Sequence, residues 1–340
     1  MNIVITGGAG FLGVRLAREL LKRESLSLAG APAQAVKRIT LVDRAAPPAD
    51  LLADGRVRAI EGDLNALLEA DKTASPVLAG DTSLVFHLAA AVSGECEADF
   101  DLGMRSNLDA TRALLQACRA LQAKPTLVFA SSLAVFGNSP EQPLPEVVTD
   151  TTLPTPQNSY GIQKFIGEQL VADYARKGFI RGRNVRLMTV SVRPGKPNGA
   201  ASSFLSGMIR EPLAGVRAVC PVSPETPVAL SSPGHTIDGL IRAAEASDID
   251  WGARTAINLP ALKTTAGEMA AALSRVAGEE VAALIDWLPD PKIASIVTSW
   301  PAHIQATRAA GLGLLPVQNF DDIIRAYLSE NPYAVSPPPG

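Results

Sequence analysis

Tyr160 and Lys164 stand four residues apart in "SYGIQK", at the start of a stretch with helical character, so both side chains lie on one face. An ammonium held beside a phenol, together with the positive charge of a nicotinamide, favours the phenolate and is expected to lower its pKa toward neutrality. Tyr160 then becomes a base able to take a proton from a substrate hydroxyl. Upstream, "VFASSLAVFG" closes an apolar strand with Ser131 and Ser132. The carboxyl edge of a parallel sheet is where ligands bind, so Ser132 is expected to hydrogen-bond the reacting oxygen.

A second group of residues suits a diphosphate. "ITGGAGFLG" carries Gly7, Gly10 and Gly13 between a strand and a helix, with Phe11 and Leu12 opening that helix. Glycines permit the tight turn and the close backbone approach, and the helix N-terminus faces the anion. The second strand ends in Asp43, whose carboxylate can accept both hydroxyls of an adenosine ribose and would repel a 2′-phosphate. NAD is therefore expected rather than NADP, with the adjacent Arg44 the one residue that leaves NADP open. Asp63 and Leu64 in "EGDLN" are expected near the adenine, and Ala89 in "HLAAAVSG" where a cofactor passes closely. His87, inside its strand, reads as a core histidine.

These residues need a frame. "NIVIT", "RITLVD", "VRAIEGD", "SLVFHLAA" and "TLVFASS" are nearly all apolar and alternate with helix-like runs, as when both faces of a sheet are covered. The pattern predicts an α/β fold: a Rossmann-type, doubly wound parallel sheet with a smaller C-terminal substrate lobe. Residues 1–190 are assigned to the cofactor domain, with the chain returning to it around 225–260, and 191–335 mainly to the lobe. "AGAPAQAV" reads as an insertion that stretches the distance from Gly13 to Asp43. Residues 137–156 read as a surface loop bordering the site, and the terminal "SPPPG" as a frayed tail.

Composition narrows the partners. The 340 residues are 47% hydrophobic, carry a formal charge of -3 and spread their Lys and Arg along the chain. Neither nucleic acid nor a membrane surface is expected as a partner. Three distant cysteines suggest no zinc site or disulfide framework, and "MNIVITGG" enters a strand without a signal segment, so a cytoplasmic protein is expected.

"VSVRPGKPN" sets Arg193 and Lys196 in a proline-stiffened elbow. Arg193 can grip a carboxylate with two prongs, Lys196 adds a second cation, and Asn198, Ser202 and Ser203 offer hydrogen bonds to hydroxyls. The same cations also suit a diphosphate, or simply face water.

Together, T-G-x-x-G-x-x-G, N-x-x-x-T, S-S-x-x-V-F-G and Y-G-x-x-K in this order resemble the extended short-chain dehydrogenase/reductase family. The resemblance implies that Ser132, Tyr160 and Lys164 are catalytic, that Asn107 supports the proton relay, and that Tyr160 and Lys164 also touch the cofactor. Family dehydratases have T-D-E where this chain has Ser132, Leu133 and Ala134, so no carboxyl group is available there for elimination. Nucleotide-sugar enzymes of the family usually read R-x-x-N-V-Y-G-P after the sixth strand; here Ser191 and Arg193 replace the asparagine and tyrosine. "VSGECEADFDLGMRSNLDATRALL" and "SWPA" are similar to the branch that oxidises the 2-hydroxyl of a four-carbon sugar acid, D-erythronate, with NAD. That branch implies a small hydroxy-acid substrate, with Ser93, Ser132, Tyr160, Arg193, Lys196 and Asn198 around it. Pairing through two long helices, giving a homodimer, is a family habit. A nucleotide-sugar epimerase and an NAD-sensing module without chemistry remain the alternatives.

Overall fold

A computed structural model of the chain describes residues 1–69 and 77–333; the terminal "SPPPG" lies outside the described residues. Five strands form where the sequence suggests, β1 (Asn2–Thr6), β2 (Arg38–Asp43), β3 (Val57–Glu61), β4 (Thr82–His87) and β5 (Thr126–Ser132), followed by the arginine-rich β6 (Arg181–Leu187). Two short strands of a second sheet follow, β7 (Thr189–Val190) and β8 (Pro227–Ser231), before β9 (Ile257–Asn258) and β10 (Leu262–Thr265). The main sheet has the order β9-β6-β5-β4-β1-β2-β3, and every pairing in it is parallel.

Strand alternation explains the two covered faces. Ile3 and Ile5 of β1 join one core, with Leu16 and Leu20 of helix α1 (Phe11–Arg23); Val4 joins the other. That second core is closed by α3 (Ala110–Ala120) and α4 (Ser159–Arg176), the latter following the short α2 (Ser93–Ala98) in the site wall. The doubly wound sheet is the Rossmann-type arrangement expected.

A second sheet, β7-β8-β10, packs with α5 (Phe204–Leu213) and α7 (Ala266–Ala277) around a separate core that includes Met208, Leu230 and Leu273. Between β8 and β9 the chain sends α6 (Pro233–Glu245) back onto the main sheet, where Ile237, Leu240 and Ile241 are buried. Trp300 packs against both cores. The 137–156 loop is tied down, because Val148–Thr149 pairs with Ile304–Gln305. Among the described residues, no helix is long and apolar enough to cross a membrane.

Candidate active site

Chain order reverses across the sheet between β1 and β4, and a cavity of about 520 Å³ opens beyond that point. Its cofactor end fits a diphosphate. Gly7 has φ +71, and a Cβ there would lie 2.8 Å from the Ala89 amide nitrogen; a Cβ on Gly13 would lie 2.1 Å from the Gly7 carbonyl oxygen. Only glycine keeps this turn and brings α1 so near the strand. Gly10 caps α1 without any side-chain bond, leaving the first-turn amides of Phe11, Leu12 and Gly13 for an anion. All five residues line the cavity.

Asp43, Asp63, Leu64 and Ala89 line it too. The Ala9 amide donates to one Asp43 oxygen at 3.0 Å and the Arg44 amide to the other at 2.7 Å, which fixes the carboxylate at the end of β2. Asp63 has its own work: Oδ1 accepts the Asn65 amide at 3.0 Å, and Oδ2 is paired with the Arg44 guanidinium, which holds the carboxyl below its usual range. Arg44 is thus drawn to Asp63 rather than left free for a 2′-phosphate.

At the other end, Asn158 caps α4 by accepting the Gly161 amide at 2.8 Å, placing Tyr160 in the first turn and Lys164 in the second. Ser132, Tyr160 and Lys164 all line the cavity. Ser132 lies by the Tyr160 phenol and favours its ionised form, and Lys164 Nζ donates to the Ala130 carbonyl at 2.9 Å while lying 5.7 Å from the centre of the Tyr160 ring. The expected lowering of the phenol does not occur in the protein alone. Burial pushes Tyr160 up to about 12, against the opposing pull of Ser132 and of the Arg193 charge. Desolvation of a phenolate outweighs both. Burial also brings Lys164 down to about 8, with Cys96 and Glu168 opposing that fall.

Asn107 is buried in a π-helical stretch, Met104–Asp109, outside the cavity lining, which takes Ser106 instead. Its Oδ1 accepts the Ala91 amide at 2.8 Å and its Nδ2 donates to Gln163 Oε1 at 2.8 Å. These bonds clip the β4 exit to α4, and none of them runs directly to Tyr160 or Lys164. His87 is enclosed as a core histidine, bonded to Thr6 at 2.7 Å and Thr111 at 2.9 Å.

The elbow separates its two cations. Arg193 lines the cavity, and its guanidinium has no hydrogen bond or ion pair among the described residues; its backbone alone is held, by Ser206 and by Arg210 Nη1 at 2.7 Å. Burial and the nearby Arg210 hold it below its ordinary value. The chain bends at Gly195, φ +81, and leaves Lys196 exposed and away from the cavity. The two-cation clamp expected from the sequence is therefore not assembled. Ser93, Asn198 and Ser202 line the cavity, whereas Ser203 Oγ is engaged by the Asn198 amide at 3.2 Å. The first turn of α2 touches the elbow directly: Ser93 Oγ accepts the Ala201 amide at 3.1 Å, and a Cβ on Gly94 would lie 2.3 Å from the Gly199 carbonyl.

Sequence reasoning missed Thr189, Arg210 and Trp300. Thr189 follows the carboxyl end of β6, a signal that was available, and lines the cavity. Trp300 also lines it; it stands in the "SWPA" that helped carry the resemblance, but no reading of that stretch assigned it to the site. Among the described residues, no group of three His, Cys, Asp or Glu side chains is placed to hold a metal ion.

Residues 3–228 match the model of the NAD dependent epimerase/dehydratase family. A D-erythronate dehydrogenase of Cupriavidus necator is 52% identical over 333 residues, covering 97% of this chain and 98% of that protein. One of Haemophilus influenzae is 41% identical, covering 96% and 99%. A solved structure described as a nucleoside-diphosphate-sugar epimerase from Agrobacterium tumefaciens matches with a TM-score of 0.85 at 41% identity, over 97% of this chain and 94% of that one.

Proposed function

The chain belongs to the NAD dependent epimerase/dehydratase family, and from that premise we propose that it oxidises the 2-hydroxyl of D-erythronate to 2-dehydro-D-erythronate. Its cofactor is NAD, which accepts the hydride leaving C2. The observation that carries the substrate class is Arg193, a cation that lines the cavity, faces Tyr160 and whose guanidinium has no hydrogen bond or ion pair among the described residues.

A substrate carboxylate paired with Arg193 brings its neighbouring 2-hydroxyl toward Tyr160. Ser132 steadies that oxygen, and the phenolate of Tyr160 takes its proton. The first turn of α1 holds the diphosphate, Asp43 the adenosine ribose, and Lys164 the nicotinamide ribose hydroxyls. Asn198 and Ser93 meet the remaining hydroxyls of the acid. In this reading residues 1–190 with the return at 225–260 form the cofactor domain, and 191–335 mainly the substrate lobe; β8 is the part of that return that joins the lobe sheet.

Purified protein given NAD and D-erythronate is expected to form NADH steadily, with L-threonate and a UDP-hexose run beside it. Absence of NADH with either acid, and C4 inversion of the hexose instead, would move the assignment to an epimerase. A sensor without chemistry would bind NAD and turn over none of the three.

Three buried free cysteines suit a reducing cytoplasm. Exposed Ile162 and Ile166 on α4, with Phe100 beside them, support a homodimer through that helix. Light scattering should show a dimer for the parent and a monomer for Ile166→Asp.

A further inference from the structure

Three consecutive residues at the end of β5 each meet one residue of a single stripe on α4. The Ala130 carbonyl accepts from Lys164, Ser132 lies by Tyr160 in the cavity wall, and between them Ser131 Oγ donates to Glu168 Oε1 at 2.5 Å. Tyr160, Lys164 and Glu168 are spaced four and four, so they share one helix face. Two rungs of this ladder belong to the proposed chemistry; the third does not.

That third rung is the most heavily built. Arg186 of β6 stands in register with Ser131 and grips Glu168 with two prongs, Nε to Oε1 at 2.9 Å and Nη2 to Oε2 at 2.8 Å. Both charged side chains are at most 5% exposed. The Arg186 guanidinium in turn lies 4.8 Å from the centre of the Phe136 ring. Burying such a pair is costly, and an apolar pair would close the same space at least as stably. Its position one turn beyond Lys164 supplies the reason for it.

We infer that Glu168, forked by Arg186 and bonded to Ser131, is a positioning residue that holds Lys164 and Tyr160 at their places on β5. The role of those two rests on the dehydrogenase reading. Lys164 is faced by Tyr160 and Glu168 from its own helix, Cys96 from α2, neutral His87 from β4, and Arg186 beyond the Glu168 carboxylate. The Cys96 thiol, pushed up to about 11 by burial, is neutral near pH 7, so Glu168 is the carboxylate that favours the ammonium against burial. Removing the Glu168 charge also leaves Arg186 uncompensated, and both changes disfavour a charged Lys164.

The test compares Glu168→Gln, which retains the Ser131 contact, with the double variant Glu168→Leu/Arg186→Met, which fills the space without charge. Both should lose at least about tenfold in kcat on erythronate. For Glu168→Gln the alkaline limb of the kcat profile should fall by about half a pH unit or more. NADH affinity, read by cofactor fluorescence with no acid present, should weaken about fivefold as Lys164 shifts from the ribose site. Should Glu168→Gln fail to fold, the double variant carries the test. Parental kcat, pH limb and NADH affinity in either folded variant would overturn the inference. Because NADH binding needs no hydroxy acid, that measurement stands even where the parent protein fails to oxidise erythronate.

Discussion

On the proposed reading Arg193 and Tyr160 set the chemistry at the scale of single residues, and their settings differ from what their types alone suggest. Tyr160→Phe should lower kcat by at least about a thousandfold and leave the thermal midpoint and NAD binding near parental, since it deletes the base without opening a cavity. Arg193→Ala should raise KM for the acid about ten- to a hundredfold, the worth of a charge-assisted pair, with NAD affinity unchanged. Lys196→Ala, outside the cavity, should change neither by more than about twofold. In isothermal titration, collapse of NAD binding on losing Arg193 would place that residue on the cofactor instead. With the phenol raised to about 12 and the lysine lowered to about 8 in the protein alone, turnover depends on bound cofactor and substrate to draw the phenolate into being. The types and spacing of Ser132, Tyr160 and Lys164 were legible because helix geometry turns a four-residue interval into a shared face. Charge state was not, because it depends on how much water the assembled walls exclude.

At the scale of elements, the glycine turn and the strand runs were readable since each follows a local rule: apolar period, breaker and cap. The π-helical stretch was not, and it decides which way Asn107 points; nor was the bend at Gly195 that turns Lys196 away from Arg193. The contact of α2 with the elbow is equally non-local, and it makes a prediction. Gly94→Val puts side-chain atoms where the Gly199 carbonyl sits, so the elbow must move and Arg193 with it. Steady-state kinetics should show kcat/KM for the acid down about tenfold or more, while NADH affinity, set by α1, stays near parental. Equal loss of both would mean that the elbow also shapes the cofactor end.

For the molecule as a whole, the enclosed His87 sets an acid limit. Burial lowers it to about 3, and the neighbouring Lys164 charge adds to that, whereas an unfolded histidine titrates near about 6.5. The unfolded chain therefore binds the extra proton first, so this contribution is full above about pH 6.5 and declines as pH falls toward the folded value. Stability to urea should drop by roughly 2 kcal/mol between pH 7 and pH 5 on this account alone. His87→Gln should flatten that slope, and an unchanged slope would assign acid lability to other groups. The main sheet with a smaller lobe was visible in outline from the sequence, but the weave of β8, α6 and β9 between them was not, since both draw on the same apolar alphabet. That weave matters while the chain is being made. Strands β1 to β6 emerge from the ribosome before α6, whose buried Ile237, Leu240 and Ile241 cover one face of their sheet. For about fifty further residues of synthesis the nascent sheet leaves the β5 and β6 part of that greasy face uncovered, an interval open to premature association.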